Sequence, residues 1–246
     1  DRERILRETG LTGMKLAVLQ SNYIPWKGYF DIIHDVDLFL FYDEVQYTKN
    51  DWRNRNRIQT QHGPQWLTVP VSAGLDTRID QAKIVPDRWQ MKHYQAILTS
   101  YAKAPYFKQY REFLEFVYLD SEWQLLSELN QFLICRIAGD FLRIPTHFGD
   151  SRDYPSAGSG HEKLFSLVRS AGASSYLSGP AAKEYIRTED YEQAGIQLQW
   201  KDYSGYPDYP QLFQPFERAV SIWDLLLNTG PDAPWFIWGW REAPQR

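Results

Sequence analysis

The chain carries a single cysteine, Cys135, in 246 residues, which excludes a disulfide framework, a thiolate zinc site and an iron–sulfur cluster. Cys135 falls within the apolar spacing of a predicted helix, where a thiol packs rather than reacts. No run approaches the ~20 apolar residues that a membrane-spanning helix requires, and Asp1 to Gly13 are charged rather than signal-like. The expectation is a cytoplasmic protein without a membrane span. Positive charge is not in excess: 27 Lys and Arg stand against 31 Asp and Glu, a net charge of −4. That balance argues against a nucleic-acid partner, whose footprint is a basic surplus over the domain. The five histidines, at positions 34, 62, 93, 147 and 161, show no metal-ligand spacing, and no metal site is expected. Walker A, G-x-G-x-x-G and G-x-S-x-G sequences are missing, so a nucleotide site would be of another kind and serine-hydrolase chemistry is unsupported.

Aromatic residues are what the chain has in abundance, with 10 Trp, 16 Tyr and 13 Phe making 16% of it. Most must fill the interior. The remainder supply flat apolar faces with polar edges, as sugar and base sites use.

The order of elements reads as α/β. Leu16–Gln20 and Leu38–Tyr42 are short apolar runs of buried-strand type joined by a helix over 27–34, a unit whose two strands lie parallel. Arg55–Thr60 and Gln65–Val71 read as a hairpin across His62-Gly63-Pro64, with a further short strand over 82–85. Three helices follow. Asp87 with Gln90, and Ser121 with Gln124, have the spacing of capping boxes for the first and third, and Pro105 opens the second. Alternation then resumes: strands over 146–148, 175–177 and 196–201, helices over 161–171 and 180–186, and a last helix capped by Ser221 and stopped at Gly230. The predicted architecture is a single α/β domain over 14–246, with a mostly parallel sheet, an antiparallel hairpin insert and a helical insert. Residues 1–13 form an extension outside the fold.

Ligands of open parallel sheets bind at the carboxyl ends of the strands. The polar residues there are Gln20, Asn22 and Tyr23, then Asp43, Glu44 and Gln46, then Gly149, Asp150 and Ser151, and Ser178 and Gly179. Asp43 and Glu44 are candidates for a general base or an amine anchor, and His93 is the best-placed acid–base candidate among the histidines. Gly28 opens close approach to backbone N–H groups at a helix start. Asp51-Trp52-Arg53-Asn54-Arg55-Asn56-Arg57 puts three arginines at a spacing of two, so an extended strand would place them on one face as a clamp for phosphate or carboxylate. A solvated edge strand and local ion pairs of Asp43 and Glu44 with Arg53 or Lys49 are the structural alternatives.

Several blocks carry a family resemblance: Gln20-Ser-Asn-Tyr-Ile-Pro-Trp-Lys-Gly-Tyr-Phe30, Tyr42-Asp-Glu-Val-Gln-Tyr47, Trp52-Arg-Asn-Arg-Asn-Arg-Ile58, Tyr101-Ala-Lys-Ala-Pro-Tyr-Phe107, Ser175-Tyr-Leu-Ser-Gly179 and Leu212-Phe-Gln-Pro-Phe216. In this order they resemble the WbqC-like family of bacterial proteins associated with O-antigen and other surface-polysaccharide gene sets. Two positions depart from the pattern. Ser21 stands where proline is frequent, and Glu44 where a second aspartate is.

The resemblance implies an enzyme that attaches an aminoacyl group, such as glycyl, or an acyl group to a nucleotide- or lipid-linked amino sugar. Its small-molecule partners would be that sugar and an amino acid or acyl donor. Asp43 would be base or amine anchor, with Glu44 and His93 as further catalytic candidates. Arg53, Arg55 and Arg57 would clamp the anion, and Tyr23, Trp26 and Trp52 would stack. Gln20, Asn22, Gly28, Gln46, Tyr47, Lys49, Asn54, Ser178 and Gly179 complete the expected binding set. Two alternatives stay open: an ATP-dependent amide ligase of nucleotidyltransferase-like type, the only reading that brings in ATP and magnesium, and a sugar-nucleotide or glycan-binding protein without catalysis.

Overall fold

The structure, a computed structural model, describes residues 13–242; the expected amino-terminal extension lies, apart from Gly13, outside them. Strand β1 (Lys15–Leu19) leads into helix α1 (Lys27–His34) and β2 (Leu38–Phe41). A hairpin of β3 (Arg55–Thr60) and β4 (Gly63–Thr68) and a small ladder of β5 (Val71–Ser72) and β6 (Lys83–Ile84) come next. Helices α2 (Trp89–Tyr101), α3 (Phe107–Glu115) and α4 (Leu126–Arg136) follow. Alternation resumes with β7 (His147–Asp150), α5 (Gly160–Ser170), β8 (Ser175–Ser178), α6 (Thr188–Gln193) and β9 (Gln197–Trp200), before α7 (Ile222–Thr229). The elements fall into two compact units, each assembled from separate stretches of chain.

One unit contains residues 13–19, 32–42 and 144–204. It is built on a five-stranded sheet of order β7-β2-β1-β8-β9, parallel at every pairing. The apolar runs explain the arrangement. Leu38–Phe41 is buried at all four positions, the pattern of a parallel strand covered on both faces. Leu16, Val18, Leu38 and Leu40 pack with Leu164, Leu167 and Val168 of α5 and with Tyr176 and Tyr191. Phe39 and Phe41 meet Phe148 with ring centroids 5.8 and 5.7 Å apart.

The second unit contains residues 20–31, 43–143 and 205–242. In its hairpin Arg55 pairs with Thr68 and Thr60 with Gly63, so the turn is tighter than the sequence suggested and β4 starts before Pro64. An edge strand of a two-stranded ribbon tolerates that proline. Two expected caps are corrected. Neither Asp87 nor Ser121 is an N-cap: α2 starts behind Arg88, at φ 66°, and α4 behind Leu125. Tertiary bonds override the local signals. The Gln90 amide donates to the carbonyls of Val117 and Ser121. Meanwhile the Ile84 N–H donates to Gln124 O at 2.8 Å and the Leu126 N–H to Ala82 O at 3.0 Å, which holds residues 124–126 against the β6 segment instead of in a helical turn. The cap at Ser221 forms as read, its hydroxyl accepting the Trp223 N–H at 3.2 Å. Helix α7 stops at Gly230 with φ 55°; in the first unit, residues 180–184 make a 3-10 turn in place of the expected helix. The interior joins Tyr110, Phe113, Phe141 and Trp223, with Phe141 4.9 and 5.0 Å from the first two rings.

Candidate functional site

The site is built on the loop from Gln20 to Trp26 that follows β1. Its backbone is fixed from several sides. The Tyr23 N–H donates to Trp52 O at 3.1 Å, Pro25 O accepts the Ile222 N–H at 2.9 Å, and Tyr23 O accepts the Asn56 amide at 3.2 Å. Gln20 O accepts the Tyr29 hydroxyl at 2.8 Å. Within this frame Ile24, fully buried, holds φ at 35°, a left-handed conformation that a β-branched residue before proline adopts only when its surroundings enforce it.

Next to the loop lies a cavity of about 360 Å³. Its walls are the indoles of Trp26 and Trp52, its polar groups Asn22, Asn56 and Arg218, and its floor Pro25 and Ala219. Gly28 makes the Trp26 wall possible: a Cβ at this position would stand 2.1 Å from an indole carbon. The space expected to admit an anion to the helix start is therefore taken by an aromatic ring.

Lys27, between these two residues, is 6% exposed. Its ammonium lies over the rings of Tyr206 and Tyr209, 5.0 and 5.5 Å from their centroids. Burial lowers its pKa to about 8, the Arg218 charge adds to this, and Asp208 and Asp224 pull the other way. Asn56 and Arg218, neither of them among the expected site residues, line the cavity; Asn56 lies within the arginine segment, which was its one available signal, and nothing local marks Arg218.

The arginine ladder divides. Asn54 and Asn56 are buried and β3 begins only at Arg55, so Arg53 sits in the preceding turn rather than on the strand face. Its guanidinium donates to the side-chain oxygens of Gln20 and Asn22. Arg55 and Arg57 do share a face, but both lie over the Trp66 ring, 4.2 and 5.6 Å from its centroid. Arg55 also donates to Asn50 O and Arg57 to Ala219 O, and Asn54 donates to Val69 O. Trp52 and Trp66, 5.6 Å apart, are 41% and 43% exposed.

Asp43 is 1% exposed and its carboxylate is saturated. Oδ1 accepts the Ser21 N–H at 2.7 Å; Oδ2 accepts the Ser21 hydroxyl at 2.7 Å, the Ser127 hydroxyl at 2.6 Å and the Gln131 amide at 3.1 Å. Four donors on one buried carboxylate describe an anchor for three chain segments. Arg53 and Lys49 are not among its partners. Glu44 is half-buried, Lys49 exposed, and Gln46 donates to Leu75 O at 2.6 Å. Tyr47 is buried, its phenol pushed up by desolvation and by Asp51.

His93 is 4% exposed and uses both ring nitrogens. Thr68 O, 3.0 Å from Nε2, can only accept, so Nε2 carries the proton. Nδ1 accepts the Tyr23 hydroxyl at 2.8 Å, and the Tyr23 oxygen in turn accepts that of Tyr118 at 2.6 Å. Burial lowers the His93 pKa to about 4, which keeps the ring neutral and the relay one-directional. No nitrogen is left for a substrate. Ser178 and Gly179 belong to the sheet unit, at the end of β8, where Ser178 is buried and Gly179 precedes the 3-10 turn.

Comparison with known proteins gives a consistent picture. An uncharacterized protein of Mycobacterium tuberculosis is 43% identical over 225 residues, covering 91% of this chain and 97% of the relative. No solved structure matches. The profile of the WbqC-like protein family matches residues 20–235, a span that includes the loop, the cavity residues, Asp43 and the arginine segment. The chain belongs to the WbqC-like family.

Proposed function

We propose that the protein is an enzyme of bacterial surface-polysaccharide biosynthesis that transfers an aminoacyl or acyl group to an amino sugar carried on a nucleotide or lipid diphosphate. The observation that carries this reading is the cavity lining. Two indoles offer faces for a sugar ring or base, Asn22 offers an amide for a hydroxyl, and Arg218 offers a cation for phosphate. To test it, the protein is incubated with nucleotide-linked amino sugars and a panel of glycine, other amino acids and acyl thioesters, with and without ATP and magnesium. Mass spectrometry then looks for a new amide. Release of AMP or pyrophosphate with the product would assign the ligase chemistry; a folded protein that gives no amide across the panel sinks the transfer reading.

One observation favours a second reading. Asp43 and His93 have every polar atom committed to protein partners, as expected of a sugar-nucleotide-binding protein without catalysis. Equilibrium binding of a nucleotide sugar without turnover on the same panel is its signature.

A further inference from the structure

We propose that the protein carries a second small-molecule site, in the cavity between the start of α2 and the segment that leads into α4, and that this site takes a zwitterion with an apolar body, an α-amino acid. The inference stands apart from the reading above: it requires neither transfer chemistry nor a ligand between Trp26 and Trp52.

This cavity measures about 540 Å³, within the range of roughly 300–1,000 Å³ that small-molecule pockets occupy. It lies wholly in the second unit and shares no lining residue with the indole cavity. Its charged lining groups are Lys83, Arg88 and Glu122. They come from three places in the chain: β6, the residue ahead of α2, and the stretch before α4. All three residues are exposed, and among the described residues none of their side chains forms a hydrogen bond or an ion pair. Two cations and one carboxylate thus surround one cavity with their hydrogen-bonding capacity unspent.

The mixture of signs selects the ligand. A bare anion would be drawn by Lys83 and Arg88 but repelled by Glu122, and a bare cation would meet two like charges. A molecule carrying both charges suits all three groups: the guanidinium fork and the lysine ammonium donate to its carboxylate, and Glu122 accepts from its ammonium. An α-amino acid holds those two groups on one carbon.

The walls for its apolar part are fixed before it arrives. The Trp123 indole N–H donates to Val117 O at 2.9 Å, and the ring packs 5.0 Å from that of Phe132. Trp89 is 4% exposed and is backed by edge contacts with Tyr23, His93 and Tyr118. Ile84 and Leu125 add aliphatic surface. Arg88 itself holds φ at 66°, a left-handed conformation uncommon outside glycine and frequent where a side chain is positioned for function. Fixed apolar walls beside uncommitted charges make a preorganised site.

The test titrates the full chain calorimetrically with L-leucine and with two derivatives that each keep one of its charges, N-acetyl-L-leucine and L-leucinamide. The expected result is saturable binding of L-leucine, with each derivative weaker by about tenfold or more. Glu122→Gln should weaken L-leucine about tenfold without weakening N-acetyl-L-leucine, whereas Arg88→Gln and Lys83→Gln should weaken both. A lack of saturable L-leucine binding overturns the proposal. So does N-acetyl-L-leucine binding as tightly as L-leucine, the mark of a plain anion site, or an L-leucine affinity that none of the substitutions alters. Should one variant fail to fold, the other two decide. An amide product in the transfer assay, together with L-leucine affinity unchanged in the variants, rejects this site and keeps the transfer reading; leucine binding weakened in the variants with no amide formed does the reverse.

Discussion

Ser21 gives both its backbone N–H and its hydroxyl to the carboxylate of Asp43, each at 2.7 Å. A proline at position 21 could supply neither donor. Ser21→Ala should remove one of the two bonds to Asp43 and lower stability by ~1–2 kcal/mol, whereas Ser21→Pro should remove both and lower it by ~3 kcal/mol or more. Urea denaturation of both variants checks the order; equal losses would mean that the backbone bond contributes nothing.

His93 predicts an acid-sensitive component of stability. Its folded pKa, about 4, lies below the ordinary 6.5, so between these values the unfolded chain binds the proton more readily. The stabilisation is complete above pH 6.5, declines as pH falls, and is gone below about 4. Its ceiling is ~3 kcal/mol. Unfolding free energies from pH 4.5 to 7 should show this slope in the natural protein and a shallower one in His93→Gln.

Lys27→Met should stabilise the empty protein. Because the folded pKa of about 8 lies below the ordinary 10.5, the penalty of the buried charge is fully present below pH 8 and relieved as pH rises toward 10.5. At pH 7 the variant should gain ~1–2 kcal/mol, seen as a higher Tm, and the gain should shrink at pH 10. A lower Tm at neutral pH would show that contacts with the tyrosine rings outweigh desolvation.

Gly28→Ala should disturb the cavity more than the helix. Alanine is the better helix former, yet its Cβ would collide with the Trp26 indole, so a net loss of ~1–3 kcal/mol is expected. A changed near-ultraviolet circular dichroism spectrum with unchanged far-ultraviolet signal would report the displaced ring. Identical near-ultraviolet spectra would contradict the described packing.

The parallel sheet was legible because Leu16–Leu19 and Leu38–Phe41 are unbroken apolar runs, and α7 because a serine cap and a stopping glycine bracket it. Expectations that relied on one local signal fared differently when a distant partner competed. Gln90 has a capping-box spacing, but carbonyls at 117 and 121 claim its amide. Arg53 continues the arginine spacing, but burial of Asn54 and Asn56 fixes the strand phase and Gln20 and Asn22 draw the guanidinium into a turn. The partners of Asp43 on α4, Ser127 and Gln131, and the pairing of Lys27 with the field of Arg218 join residues far apart in the chain. Spacing within a window does not encode them.

The order in which the units are threaded also bears on how the protein is made. The chain passes from one unit to the other after residues 19, 31, 42, 143 and 204, and Lys15 finds its β8 partner only at Ser175. During synthesis the central strand leaves the ribosome early and waits, one edge unpaired, until most of the polypeptide has followed. Such late closure slows folding and exposes a sticky apolar strand in the meantime. Neither unit can be expressed as one uninterrupted fragment.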